Sequence, residues 1–511
     1  MSHLLVAPVV LPLMVAAALL ALAPRAAVAR ALGLGSTLLL AAVAALLVGQ
    51  SADGAHRVYA LGAWPAPFGI VLVLDRTSAL LVAVTALVAL GALAAAARGW
   101  DARGRHFHAL FQFQLAGLNG AFLTGDLFNL FVFFEVLLIA SYCLLLHGLG
   151  VERLRAAMHY VVINLTASAL FLLSVGTLYG LTGTLNMADL ALGVAALPPG
   201  DAALARAAGL VLFVVFGVKA ALFPLQFWLP ATYAAASAPV AALFAVMTKV
   251  GLYSIARVYP LVFGAEAGDA ALLDAPLMPL ALATLALGAI GALAAPHLRG
   301  VVAYFTVVSA GTVLVALALA SQAGMAAALY YMAHSSFAVA ALFLIGGLLA
   351  DQRGATGDRL APGPALAQPG LLGLLLLVGA LGIAGLPPLS GFIGKLLLLQ
   401  AARGEAAPWA WSVVLAATLL AIVCLTRAGS LMIWNSEPGT PRASAARAAD
   451  LAPALYLLAC GAVMAAYAAP IHRFTDAAAA QLLAPRGYIE TVLQASPGSR
   501  ARPLPRPGGS R

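Results

Sequence analysis

The sequence predicts an all-α integral membrane protein with about fourteen transmembrane helices, arranged as two inverted five-helix repeats that each contain a broken helix. The first observation behind this class is composition, since 63% of the 511 residues are hydrophobic and only 9% are charged. The second is that apolar runs of about 20 residues recur as far as residue 469, each long enough to cross roughly 30 Å of hydrocarbon. The third observation is that two of these runs contain both proline and a charged residue. Because so apolar a composition does not occur in water-soluble proteins, soluble classes are excluded.

The boundaries of the helices follow from the apolar runs and the residues that interrupt them. The first run lacks a basic segment before it and is followed by further spans, so we interpret it as a retained helix rather than a signal peptide. The predicted helices are 4–22, 31–49, 70–97, 107–124, 127–149, 157–182, 207–235, 239–260, 277–295, 300–320, 325–349, 371–402, 408–433 and 451–469.

These helices group into five segments of the chain. The segments are 1–106 with helices 1 to 3, 107–260 with the first repeat, 277–433 with the second repeat, 451–469 with helix 14, and the tail 470–511. We expect the tail to begin with a short interfacial helix. It ends in a stretch from Ser496 to Arg511 that is rich in proline, arginine, serine and glycine and is predicted to be disordered.

Two of the predicted helices contain proline where an unbroken helix would not. The run 207–235 has Lys219 followed by Pro224, and the run 371–402 has Pro387 and Pro388 followed by Lys395. Proline removes a backbone hydrogen bond and interrupts a helix, so each run should be a broken helix. Broken helices at corresponding places in two halves of a membrane chain indicate inverted repeats, with ion sites near the breaks.

The positive charge of the chain is spread through its loops. The net charge is +9, but the arginines are scattered singly rather than clustered on one face, so we expect a lipid bilayer and no nucleic acid as the partner surface. Loops after odd-numbered helices carry most of them, and the positive-inside rule then places both termini outside the cytoplasm. The loop arginines are Arg25, Arg30, Arg98, Arg103, Arg105, Arg153, Arg155, Arg299, Arg353, Arg359, Arg442 and Arg447.

The three lysines are distributed differently from the arginines. Lys219, Lys249 and Lys395 all lie within apolar runs, whereas the arginines are assigned to loops, helix ends or the tail. An ammonium group can release its proton when it is buried, which a guanidinium cannot. This separation predicts that the lysines relay protons.

Glu135 is the one acidic residue well inside a predicted helix, and we expect it to pair with Lys219 on the first broken helix. An unpaired charge at mid-bilayer costs roughly 2.5–3.5 kcal/mol even on a lenient scale. The alternative is a static structural ion pair, which seldom stabilises better than apolar packing.

Lys249, Lys395 and His334 complete the predicted relay, and each has a structural alternative. Lys249 and Lys395 could instead extend their ammonium groups to an interface. His334 has a near-neutral side chain that suits a link between the two halves, but it could equally be a buried imidazole bonded to hydroxyl or backbone groups. The three cysteines show no metal-binding spacing, and we expect no metal and no cofactor.

Five stretches of this sequence resemble the D subunit of Mrp/Pha/Mnh multisubunit monovalent cation/proton antiporters. The superfamily also contains the antiporter-like subunits of NADH:quinone oxidoreductase. The stretches are TGDLFNLFVFFEVLLIASY at 124–142, KAALFPLQFWLP at 219–230, APVAAL at 238–243, TKVG at 248–251 and GLPPLSGFIGK at 385–395.

The resemblance implies fourteen helices, two broken helices, and roles for particular residues. Glu135 and Lys219 would be the coupled acid and lysine, Lys249 a central relay, and Lys395 the terminal lysine of the second half. The chain departs from many relatives at three positions, which are Gln226 in place of histidine, Ala231 in place of an acidic residue, and Val339 in place of lysine. Because Val339 replaces the lysine that follows the histidine of the eleventh helix, the route through His334 is open to question, and we expect the second half to conduct through a shorter or more water-dependent chain.

The leading hypothesis is a bacterial inner-membrane subunit that moves protons along this relay, coupled to counter-movement of K⁺ or Na⁺ within a hetero-oligomer. The alternative is a proton-translocating, non-redox membrane-arm subunit of NADH:quinone oxidoreductase. The chain has no phosphate-binding loop, which agrees with a secondary antiporter subunit rather than an enzyme or an ATP-driven pump. A third hypothesis, an inactive scaffold that keeps the fold, predicts that each lysine can be replaced by alanine without loss of salt tolerance.

Overall fold

The structure is a computed structural model that describes residues 2–264, 272–437 and 444–494. Within these ranges the chain forms twenty α-helices and one two-stranded hairpin. The first ten helices are α1 Ala7–Leu22, α2 Ala26–Ser51, α3 Arg76–Ala96, α4 Phe107–Leu123, α5 Leu127–Leu146, α6 Val151–Thr182, α7 Met187–Ala195, α8 Pro199–Ala220, α9 Trp228–Ala235 and α10 Ala238–Phe244. The others are α11 Met247–Val262, α12 Asp274–Ala294, α13 Leu298–Ala318, α14 Gln322–Arg353, α15 Pro369–Ala384, α16 Ser390–Ala401, α17 Ala406–Gly429, α18 Ala448–Ala466, α19 Ala468–Leu483 and α20 Pro485–Gln494.

The predicted class of a helical membrane protein is confirmed. Eleven helical segments of the described chain are long and apolar enough to span a membrane, and the shorter apolar helices α1, α15 and α16 accompany them. The count of fourteen crossings, the inverted repeats and the five segment boundaries stay predictions. Arg442 and the predicted disordered stretch 496–511 lie outside the described residues.

A β-hairpin replaces the start of the predicted third helix. Strands β1 Arg57–Ala60 and β2 Val71–Leu74 pair antiparallel, and α3 begins only at Arg76 rather than at residue 70. The reason is a capping box at the end of β2. The Asp75 carboxylate accepts a hydrogen bond from the Ser78 backbone at 2.8 Å, and the Ser78 hydroxyl accepts one from the Asp75 backbone at 2.9 Å. Such a box marks the first turn of a helix.

Loops that follow odd-numbered predicted helices are bonded to one another on one side of the molecule, which we call the arginine face. The contacts are Arg30 with Asp101, Arg98 with Asp450, Arg153 with the Ala235 carbonyl, Arg299 with the Ala236 carbonyl, and Arg299 with Asp358. The loop arginines therefore tie this side of the bundle together as well as bearing charge.

The opposite side, which we call the strand face, carries the hairpin, the loop before α5, helix α7 and the C-terminal helix α20. Backbone hydrogen bonds join the first three of these parts, including Gly125 to the Val71 carbonyl at 2.9 Å and Met187 to the Gly125 carbonyl at 2.9 Å, and α20 packs against α7 and β1. The predicted helix at the start of the tail is present as α19, and α20 follows it. Gln481 of α19 bonds the Gly54 carbonyl at 2.6 Å, which holds the tail against this face.

Arg257 departs from the predicted pattern of arginines in loops, at helix ends and in the tail. Arg257 lies inside α11, only 6% exposed, and forms an ion pair of 2.6 Å with Asp75. The sequence assigned it to a helix end because it falls near the boundary of an apolar run. Its partner comes from a distant part of the chain, which a local pattern cannot reveal.

Candidate functional site

The first broken helix consists of α8 and α9, and Pro224 lies in the break as predicted. Backbone groups freed by the break are bonded by other parts of the protein. The Phe223 N–H donates to the Thr284 hydroxyl of α12 at 2.9 Å, and the Trp228 indole donates to the Val218 carbonyl at 3.1 Å. Unwound backbone inside a membrane protein requires such partners. The break is thus held by side chains of α9 and α12.

Lys219 lies in the last turn of α8, where the partial negative charge of the helix end favours a cation. Its side chain is buried. The ammonium donates to the Asn164 side-chain oxygen of α6 at 3.0 Å and lies 5.7 Å from the centre of the Phe134 ring. The Asn164 amide donates in turn to the Tyr160 carbonyl at 2.9 Å, which fixes its orientation.

Glu135 is on α5 and its carboxylate accepts a short hydrogen bond from the Ser168 hydroxyl of α6. The Glu135 side chain is only partly buried, because it lies on the same side of α5 as the exposed Phe128 and Ile139. Among the described residues no ion pair within 4.0 Å joins it to Lys219, so the expected direct pair is replaced by a bridge. Ser168 and Asn164, four residues apart on α6, stand between the two charges.

Lys249 lies on α11 with no exposed surface, and its ammonium donates to the Ser309 hydroxyl of α13 at 3.1 Å. The alternative that it extends to an interface is wrong. Two residues later, Gly251 packs against the end of α8, where an added Cβ would lie 2.5 Å from the Ala220 backbone nitrogen. This glycine brings the helix of Lys249 against the turn that carries Lys219.

The second broken helix consists of α15 and α16, and the break holds Pro387 and Pro388 as predicted. Gly385 ends α15 with a positive φ of 75°, as is common at helix C-termini. Lys395 of α16 reaches back across the break. Its ammonium donates to the Ala384 carbonyl at 2.8 Å and to the Thr418 hydroxyl of α17 at 2.8 Å. This side chain is 7% exposed, so the interface alternative is wrong for Lys395 also.

His334 of α14 lies beside the start of α16. Its Nδ1 is 2.8 Å from the Ser390 hydroxyl, and its buried Nε2 forms no well-aligned hydrogen bond among the described residues. Gly391 allows this approach, since a Cβ there would lie 2.8 Å from Nε2. The imidazole is within electrostatic reach of both Lys249 and Lys395. Both interpretations of His334 stay open, and Val339 lies buried further along the same helix.

The acceptors of the three lysines share one property that the sequence did not reveal. All of them are neutral oxygens, and no carboxylate in the described ranges lies within 4.0 Å of any of the three ammonium groups. Asn164, Ser309 and Thr418 were not among the predicted site residues. Asn164 could have been recognised as an amide within the apolar run of α6.

A family model described as the NADH:quinone oxidoreductase/Mrp antiporter transmembrane family matches residues 124–423, which include both broken helices and all three lysines. The chain belongs to this family. The predicted location as a multi-pass protein of the bacterial inner membrane is confirmed, and the relatives described next confirm the predicted relationship to the D subunits of multisubunit antiporters.

Two relatives and one solved structure define the similarity to this family further. The chain is 43% identical to the probable K⁺/H⁺ antiporter D subunit of Rhizobium meliloti, over 97% of this chain and 98% of the relative. It is 35% identical to the Na⁺/H⁺ antiporter D subunit of Bacillus subtilis, over 97% and 100%. A chain of the Mrp complex from Dietzia sp. DQ12-45-1b superposes with a TM-score of 0.87 at 28% identity, covering 96% of this chain and 99% of that one.

Proposed function

We propose that this chain is a subunit of a multisubunit monovalent cation/proton antiporter and that it carries the proton path. Glu135, Lys219, Lys249 and Lys395 are the relay residues, and His334 lies between the last two. The chain would act as a transporter subunit rather than as an enzyme. Relatives named as antiporter D subunits are 43% and 35% identical to this chain over 97% of its length, and this identity supports the assignment over a redox complex.

The observation that carries the proposal is the neutral surroundings of the buried lysines. A carboxylate in direct contact would favour the charged ammonium and would oppose release of its proton. Amide, hydroxyl and carbonyl oxygens can accept hydrogen bonds from either the ammonium or the neutral amine. The lysines are therefore held in place in both protonation states, as a relay requires.

Glu135 is the acid of the first half, and it forms no direct ion pair that would keep Lys219 protonated. The carboxylate and the ammonium are within electrostatic reach, but Ser168 and Asn164 separate them. A proton that arrives at or leaves Glu135 changes the field at Lys219 without breaking a direct ion pair. The partly exposed side of α5 is also where a neighbouring subunit would complete the surroundings of Glu135.

The cation that exchanges with protons is K⁺ or Na⁺, and we propose K⁺ as the preferred one because the relative with the higher identity is named for K⁺. The test is proton movement in proteoliposomes that contain the whole reconstituted complex, with K⁺ and Na⁺ supplied separately. We expect addition of K⁺ to dissipate an imposed pH difference. A complex that responds to neither cation would contradict the antiport proposal.

The proton path is tested in the same assay with Glu135→Gln and Lys219→Ala. We expect each to reduce antiport by about 100-fold or more, the usual contribution of a positioned acid–base group. Glu405→Gln and Arg403→Ala are matched controls, because both residues are exposed in the loop between α16 and α17. Normal antiport in an assembled Glu135→Gln or Lys219→Ala complex would exclude this path.

A further inference from the structure

A second buried charge cluster lies on the strand face, apart from the relay. Arg257 and Asp75 form its ion pair, with side-chain exposures of 6% and 1%. The Arg257 Nε donates to the Tyr253 hydroxyl at 3.1 Å, and that hydroxyl donates to the Phe122 carbonyl at 2.8 Å. The other Asp75 oxygen accepts from the Ser78 backbone.

This cluster is in line with Lys249. Lys249, Tyr253 and Arg257 follow one another at intervals of four residues, so they lie on one side of α11. Eight residues of helix correspond to about 12 Å. A stripe of three polar side chains on α11 therefore runs from the central lysine toward the strand face and ends at the ion pair.

The groups at the end of the stripe cannot pass a proton onward. A guanidinium does not release its proton at accessible pH. The Tyr253 hydrogen is committed to the Phe122 carbonyl, and Asp75 is engaged by Arg257 and by the start of α3. A fixed arginine charge is also a recognised barrier to proton passage in membrane pores.

Helix α20 covers this end of the stripe. Tyr488 is 3% exposed, and its ring lies 5.6 Å from the Arg257 guanidinium carbon and 5.8 Å from the ring of His56. The Tyr488 hydroxyl lies close to Gly125 and has no hydrogen-bond partner in the part of the chain that the structure describes. An aromatic ring thus separates the ion pair from the surface of the strand face.

We propose that Arg257, Asp75 and Tyr488 form a proton seal that prevents direct exchange between Lys249 and the strand face. The inference rests on the proposed antiport function, in which such exchange would dissipate the gradient without moving a cation. A merely structural role explains the cluster less well, because a buried ion pair seldom stabilises a protein more than apolar residues of similar volume. The seal leaves the relay toward the second half as the open route.

The test measures passive proton entry into proteoliposomes that contain the whole complex. Choline is the only added cation besides protons, thiocyanate balances charge, and a pH-sensitive dye reports the internal pH. The first variant is the double substitution Asp75→Asn with Arg257→Gln, which makes both sites neutral and keeps a polar amide at each. The second is Tyr488→Ala, with Tyr488→Phe as its matched control because phenylalanine keeps the covering ring.

We expect the double variant and Tyr488→Ala to raise the passive proton leak by about tenfold, and Tyr488→Phe to leave it unchanged. A leak equal to that of the unmodified complex in both assembled variants would overturn the seal. If the double variant does not assemble, Tyr488→Ala alone decides, and an unchanged leak there overturns the inference. Absence of cation-driven antiport in the unmodified complex would instead contradict the proposed function, whatever the leak of the variants.

Discussion

The side chains around the lysines determine what each lysine can do. An ammonium in contact with a carboxylate forms an ion pair that resists loss of its proton, whereas neutral acceptors bond both protonation states. Asn164, Ser309 and Thr418 supply such acceptors in this chain. The site is therefore a series of groups that can change charge. Arg257 and Asp75, whose ion pair keeps both of them charged, lie apart from it near the strand face.

Lys249→Arg keeps the positive charge but removes the ability to release a proton. We expect antiport to fall by about 100-fold, since the exchange step at the centre of the path is lost. The measurement is cation-driven proton movement by the reconstituted complex. Arg403→Lys is the control, because it exchanges the same two residue types at an exposed position. Antiport at the normal rate with arginine at 249 would mean that this residue is a fixed charge.

Asn164→Asp places a carboxylate in direct contact with the Lys219 ammonium. A close opposite charge favours the protonated lysine by at least about tenfold, so we expect antiport to slow by about that factor while the complex assembles normally. Asn435→Asp is the control, since Asn435 is an exposed amide beyond α17. An Asn164→Asp complex that is as fast as the original would show that Lys219 need not lose its proton.

The sequence predicted that the three lysines are buried, but it did not predict their partners. Each lysine is the only lysine in its apolar run, and this local pattern was sufficient to predict that its side chain is buried. The Lys219 partner is 55 residues away in sequence and the Lys249 partner is 60 residues away. Such pairs arise from helix packing, which a single sequence does not specify, and for that reason the sequence did not show that Ser168 and Asn164 lie between Glu135 and Lys219.

At the scale of elements, both predicted breaks are present, and each contains the proline that predicted it. Proline alone does not decide where a helix ends, since α1, α11, α12 and α18 each continue through an internal proline. The hairpin was missed because the apolar residues of β2, Val71–Leu74, continue almost directly into the run of α3. Periodicity alone cannot separate a short buried strand from the start of a helix, although the Asp75 and Ser78 capping pair was visible.

Gly251→Ala tests how α11 is held against the first broken helix. The new methyl group would lie 2.5 Å from the Ala220 backbone nitrogen, and backbone cannot move aside as a flexible side chain can. We expect a loss of about 1–3 kcal/mol, as for other overpacked sites, measured as a lower melting temperature of the detergent-solubilised complex, together with slower antiport. Gly180→Ala on α6 has no atom within 4 Å of the added Cβ and should lower neither the melting temperature nor the antiport rate. Equal melting temperatures for the Gly251 variant and the original would contradict this packing.

At the scale of the whole molecule, the arginines of the arginine face have two roles, one in membrane topology and one in stability. Arginine in these loops was predicted from the rule that sets membrane orientation. The structure adds that Arg299 bonds both Asp358 and the Ala236 carbonyl, so one side chain ties the loop after α9 to the loop between α14 and α15. Position in the bundle, rather than sequence pattern, decides which arginines acquire this second role.

Asp358→Asn tests that role through its dependence on pH. Burial acts to raise the pKa of Asp358, but hydrogen bonds and charge from Arg299 outweigh it, and the pKa lies below its ordinary value. A lowered carboxyl pKa stabilises the folded state above the unfolded value of about 4, and this contribution is lost as pH falls through the folded value.

We expect Asp358→Asn to destabilise the complex by about 1 kcal/mol, a modest loss because Arg299 is partly exposed and the contact is weakened by solvent. The loss should have the same size at every pH from 8 to 5. Thermal melting at a series of pH values is the measurement, and the difference from the original should shrink only below about pH 4. Asp201→Asn, at an exposed position on α8, should follow the original at every pH. A difference that already disappears between pH 7 and pH 5 would contradict the assignment of this contribution to the Asp358 carboxylate, which should persist down to about pH 4.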